Sequence, residues 1–151
     1  MECYKALLAE IKEKIPKNEY AKVMKQDMCE YEHDFLGFLE VYKAASLFVP
    51  KHKTIIDFGC YLSAQAYFFS DYSKYIGVDV VDLKRFTPKN AEHHVSTIQD
   101  FISNHPELAK DDNVFAICSY VPDFEAQELV RKKYKNCLVY YPCGKMEGKV
   151  Y

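Results

Sequence analysis

The spacing of apolar residues changes at Thr54. Before it, apolar positions recur every three or four residues. Leu7, Leu8, Ile11 and Ile15 stand against Lys5, Glu10, Lys12, Glu13 and Lys14, and Pro16 ends the run. Tyr20, Val23, Met24 and Met28 predict a second helix starting near Asn18 or Glu19. A third, from Phe35 to Phe48, is stopped by Pro50. From Thr54 onward, short β-branched runs alternate with helix-period runs, the pattern of a parallel α/β sheet. The spacing predicts strands at 54–59, 75–80, 94–98, 114–121 and 137–141. It predicts helices at 62–72, at 100–104 before Pro106, and from Pro122-Asp123 to about residue 134, with a polar loop at 82–90 and a turn at 111–113. The expected architecture is a three-layer α/β fold with a mainly parallel sheet of about five strands. Residues 1–50 form a helical N-terminal extension, and 51–151 the core of the same single domain.

One stretch carries the chemistry. Thr54-Ile55-Ile56-Asp57-Phe58-Gly59 is a β-branched run that reaches an acid and bends at a glycine. Cys60 to Phe69 continue at helical spacing, and Tyr75-Ile76-Gly77-Val78-Asp79 is a second apolar run closed by an acid. Strand, tight turn, helix and strand make the first half of a nucleotide-binding βαβ unit. Asp79 lies 22 residues after Asp57, close to the interval of roughly 20 residues at which such units place the acid for ribose hydroxyls.

Composition narrows the setting. The chain has 151 residues, 49% hydrophobic and 28% charged, enough for one domain with a substantial core. A formal net charge of −2 supplies no global field toward nucleic acid or anionic membrane. No apolar run approaches the length of a membrane span. Cys3, Cys29, Cys60, Cys118, Cys137 and Cys143 are scattered without a C-x-x-C pair, and Met1–Ile15 is amphipathic and charged rather than a signal peptide. The expectation is a reducing, cytoplasmic protein. His93 and His94, beside Glu92, are adjacent on a strand and face opposite sides, so no metal site is expected. Arg131, Lys132, Lys133 and Lys135 close a helix, where cations complement the dipole.

The Asp57-Phe58-Gly59-Cys60 turn, with Asp79 after it, resembles the opening motif of the class I S-adenosylmethionine-dependent methyltransferases. The resemblance covers roughly residues 35–142. It implies a Rossmann-like fold and S-adenosylmethionine as cofactor, held around Asp57, Gly59, Cys60, Tyr61, Asp79, Asp100 and Ser119. It puts Gln99-Asp100-Phe101 in the place of the family's adenine-contacting acids, and Cys118–Pro122 in the place of its substrate-facing loop. No catalytic residue is singled out. A base near Ser119 or Tyr120 is the nearest candidate, and the Asn-Pro-Pro-Tyr signature of the amino methyltransferases is absent. The family's Asp-x-Gly-x-Gly-x-Gly becomes Asp57-Phe58-Gly59-Cys60-Tyr61-Leu62-Ser63. A Cβ at Tyr61 disfavours positive φ, and an inward ring would fill the pocket. The family also continues with a helix and an antiparallel strand pair, for which residues 143–151 are too few. Two functional readings therefore stand: a small methyltransferase of unknown acceptor, or an inactive methyltransferase-fold module that binds or regulates. In the second, a homodimer could form through the truncated sheet edge.

Overall fold

A computed structural model describes residues 41–61, 63–84, 87, 91–119, 121–140 and 146–150. The helices predicted within residues 1–40 lie outside the described residues. The third predicted helix is described over 41–48 (α1), where Val41, Tyr42, Ala45 and Val49 give it a buried stripe.

Among the described residues, six strands form one sheet in the order β3-β2-β1-β4-β5-β6. They are β1 Thr54–Phe58, β2 Lys74–Asp79, β3 Ala91–Val95, β4 Val114–Ser119, β5 Cys137–Tyr140 and β6 Met146–Lys149. The first five run parallel; β6 is antiparallel to β5. The strand order reverses beside β1, whose neighbours are β2 and β4. A crevice opens at that switch point in such sheets.

Alternation along the strands sorts the core into two layers. Ile56, Phe58, Ile76, Val78, Ala116, Cys118 and Val139 face α2 (Ile98–Asn104), α3 (Pro106–Lys110) and α4 (Phe124–Lys133). Phe58 meets Phe101 and Tyr134 edge to face, with centroids 5.8 and 5.6 Å apart. Burying one such side chain contributes about 1.5–3 kcal/mol. Ile55, Tyr75, Phe115, Ile117 and Leu138 face the other way, against α1 and a 3₁₀ helix, Ala64–Phe69.

Among the differences from the sequence-based expectation, four have a clear local reason. The sheet has six strands rather than about five, because Met146–Lys149 pairs with the outer side of β5. That pairing satisfies backbone groups an edge would otherwise present. β3 spans 91–95 rather than 94–98: its register runs from Tyr75↔Ala91 to Asp79↔Val95, and Thr97 already caps α2. The segment after the glycine turn is 3₁₀ rather than α-helical, over Ala64–Phe69, and its buried apolar residues Ala66 and Phe69 stand three apart. Pro106 does not simply end a helix but starts α3 at the first helical position, where its missing N–H costs nothing.

Candidate functional site: a cleft at the carboxyl ends of the strands

The turn after β1 takes a left-handed backbone at alternate residues: φ is 77° at Gly59, 45° at Tyr61 and 56° at Ser63. These are the three places where the resembled motif has glycine, and the left-handed φ is present at each of them despite two side chains. Gly59 needs its bare Cα twice over, since a Cβ there would lie 2.8 Å from Val121 Cγ2. The Tyr61 N–H donates to Asp79 Oδ2 at 3.0 Å, and the Val81 N–H to Asp79 Oδ1 at 2.9 Å. Asp79 therefore ties the β1 turn to the end of β2. Tyr61 is 49% exposed and is not among the described residues lining the cleft beside it.

That cleft has a volume of about 370 Å³, within the usual range of small-molecule sites. Four strand ends converge on it: Gly59 after β1, Val78–Val80 at the end of β2, Ser96–Gln99 leading into α2, and Val121–Asp123 leading into α4. Both helices start at the cleft with side-chain caps. Thr97 Oγ1 accepts from the Asp100 N–H at 3.1 Å, and Asp123 Oδ1 from the Ala126 N–H at 3.1 Å. Gln99 Nε2 donates to Asp123 Oδ2 at 3.2 Å and so bridges the two helix starts. The Ala126 N–H, and after it the Gln99 amide, hold the Asp123 carboxyl below the usual carboxylate range. Among the described lining residues the acids are Asp79 and Asp123, and none is lysine, arginine or histidine.

The remaining sequence candidates lie around this cleft rather than on its described wall. Asp57 is fully buried beneath the turn. Its carboxylate accepts from Tyr42 Oη at 2.6 Å, from Gln65 Nε2 at 2.6 Å and from Tyr75 Oη. Burial pushes its pKa up to about 6, against the lowering effect of those donors. Cys60 is buried, and desolvation raises its thiol well above the ordinary range. Asp100 is exposed in the first turn of α2, and the neighbouring Gln99 faces the cleft instead. Ser119 is buried, its Oγ without a hydrogen-bond partner among the described residues. Tyr120 lies outside the described residues. No group of three or more potential metal ligands occurs among them, and none of their helices is long and apolar enough to cross a membrane.

Sequence reading missed Ser96, Thr97 and Asp123 as cleft residues. Asp123 had a usable signal, because an acid after proline before a helical run marks an N-cap. Thr97 had one too, since Thr97-Ile98-Gln99-Asp100 fits the capping pattern of a helix start, but the expected strand ran past it.

No protein-family profile matches the chain, and neither does any curated protein. Solved structures do resemble it. The plantazolicin methyltransferase BpumL, in complex with SAH (S-adenosylhomocysteine), superimposes with a TM-score of 0.51 at 14% identity, covering 91% of this chain and 59% of its own. SMU.1697c of Streptococcus mutans, assigned as a methyltransferase and also bound to SAH, gives 0.45 at 18% identity, over 66% of this chain and 70% of its own. HcgC of Methanococcus maripaludis, cocrystallised with SAH and pyridinol, gives 0.39 at 18% identity, over 68% and 52%. The chain thus spans about three fifths of the length of BpumL. At 14% identity that likeness is one of architecture, and the architecture is the Rossmann-like fold of the class I S-adenosylmethionine-dependent methyltransferases.

Proposed function

We propose that the chain is a small S-adenosylmethionine-dependent methyltransferase-like protein that binds its cofactor in the cleft between Gly59, Asp79 and Asp123. The observation that carries this is the charge of the wall: two carboxylates and, among its described residues, no cation. A phosphate-bearing dinucleotide would be repelled there and would lack the cation or uncapped helix terminus it normally meets. A nucleoside bearing a sulfonium and an ammonium is attracted instead.

The residues present fit that ligand. Each Asp79 oxygen accepts one backbone N–H, and a carboxylate oxygen has two lone-pair sites, so acceptor capacity remains for ribose hydroxyls. Val78, Val80, Ile98 and Val121 give the cleft apolar walls for a flat ring. S-adenosylmethionine, when bound, supplies an activated methyl group. The chain's own part is orientation, which by itself can supply much of the rate of a displacement. Asp123, held below the usual range, is a poor proton acceptor at neutral pH.

Thermal denaturation with SAH tests the proposal. Ligand at 100 times its dissociation constant stabilises by about 2.7 kcal/mol, which raises the Tm by several degrees in a chain of this size. Asp79→Ala should abolish the rise, and NAD should produce none. An unchanged Tm at millimolar SAH would leave the fold standing as a binding or regulatory module and remove the enzyme reading.

A further inference from the structure

The groups that mark the cleft sit on two separate segments, the turn after β1 and the turn after β2. A buried imidazole joins them. His93 lies in β3 opposite Gly77 of β2, and is 8% exposed. Its Nε2 lies 2.9 Å from the Val81 carbonyl oxygen, and its Nδ1 3.6 Å from Cys60 Sγ. A carbonyl can only accept, so Nε2 carries a proton, and in the neutral imidazole Nδ1 is then an acceptor. The Cys60 thiol, which also lies 3.8 Å from the Tyr61 carbonyl oxygen, is the donor that Nδ1 faces. The thiol reaches across β2 because Gly77 has no side chain: a Cβ there would stand 2.6 Å from Cys60 Sγ.

We propose that His93 is a positioning residue, a latch that holds the Cys60 turn and the Val81 turn in the spacing that Gly59 and Asp79 need to share one ligand. Cys60 neighbours Gly59, and Val81 follows Asp79 by two residues, so the imidazole spans the same two segments from behind the cleft. The Tyr61 N–H bond to Asp79 spans them in front. These two ties, one buried and one half-exposed, add to the Gly59 and Cys60 N–H groups that donate to the Val78 carbonyl oxygen at 2.8 and 3.4 Å, and together they set the width of the mouth. Cys60 then serves as a hydrogen-bond donor rather than a nucleophile. The ligand part of this proposal rests on the function proposed above; the latch itself does not.

The ligand-free protein gives the first test. Nitrogen chemical shifts of the His93 ring should report a neutral Nε2–H tautomer, a signature that packing alone does not dictate. Iodoacetamide labelling of Cys60, read by peptide mass spectrometry, should be slow in the wild type. It should rise at least about tenfold in His93→Phe, and also in His93→Gln, which retains a donor near Val81 O and so guards against a variant that fails to fold. His93→Asn, whose amide oxygen replaces Nδ1 as the acceptor, should restore much of the protection. With SAH, His93→Phe should weaken binding roughly five- to tenfold, about the worth of one or two net hydrogen bonds. Cys60→Ala should add little in that background. A Nδ1–H tautomer, or His93→Gln with unchanged Cys60 labelling and unchanged SAH affinity, overturns the latch. Protection that depends on His93 in a protein that never binds SAH overturns the proposed function and leaves the latch in place.

Discussion

Tyr61 shows most plainly how a residue's chemistry and its setting part company. Its left-handed φ of 45° costs an L-residue roughly 1–2 kcal/mol, and the bond from its N–H to Asp79 helps hold it there. Tyr61→Gly relieves that strain but adds freedom to the unfolded chain, worth about 0.5–1 kcal/mol. Chemical denaturation should therefore find the variant as stable as the wild type or up to about 1 kcal/mol more stable. Because Tyr61 is not part of the described cleft wall, SAH affinity should stay within about threefold; a large gain would mean that the ring blocks the site. Asp57 makes the second residue-scale prediction. Its folded-state pKa of about 6 lies above the roughly 3.9 of a free aspartate. The native state thus holds this proton more tightly than the unfolded state, and stability should fall as pH rises from about 4 to about 6, then level off. The stability of wild type relative to Asp57→Asn should drop by on the order of 2–3 kcal/mol across that window. A flat difference between pH 4 and 7 would show that the carboxyl is not desolvated as described.

At the scale of elements, β2 is shaped by what crosses it. Gly77 leaves the space that Cys60 fills, and the nearest atoms after the thiol are Cys60 Cβ and Ser63 Oγ, both 3.1 Å from where a Cβ would stand. Gly77→Ala should destabilise by about 1–3 kcal/mol, as overpacking does. Cys60→Ala in the same chain should recover part of that loss, since it removes the contact at 2.6 Å. Urea melts of the two singles and the double would give the coupling; strict additivity would refute the close approach. The 3₁₀ helix belongs to the same scale. A period-3.6 reading of residues 62–72 sees only an apolar run, whereas Ala66, Phe69 and Tyr72 recur every third residue. Phe69, the last residue of that helix, meets Tyr72, just beyond it, edge to face, with centroids 5.0 Å apart.

For the whole molecule, the order of the sheet sets the order of opening. β4 is buried at all six positions and β1 at four of five, and each is paired on both sides. β3 and β6 are the outer strands among those described. Native-state hydrogen exchange should therefore give the β1 and β4 amides protection near the global unfolding free energy, with β6 exchanging well before them. Adding SAH should slow exchange most in the turns after β1 and β2. Protection of β6 equal to that of β4 would contradict this hierarchy.

The α/β class, the place of β1, β2, β4 and β5, and the pairing of Gly59 with Asp79 were all legible in the order of residues. Each depends on a local signal: a β-branched run, a glycine at a bend, an acid at a strand end. Such signals survive without knowledge of neighbours, because backbone sterics and side-chain alternation act over a few residues. Only the folded chain could decide the rest. Nothing near residue 146 announces a strand; Met146–Lys149 becomes one because β5 offers it unpaired backbone groups. Thr97-Ile98-Gln99-Asp100 announces a helix start but not a cleft; Thr97 lines one because α2 starts beside the ends of β1 and β2. Tyr61, read alone, argues against the glycine motif's geometry. It is held there in part by a bond to Asp79, 18 residues away along the chain, which offsets part of a local preference of about one or two kcal/mol. Contacts between distant residues are what a linear reading cannot weigh, and they shape the cleft.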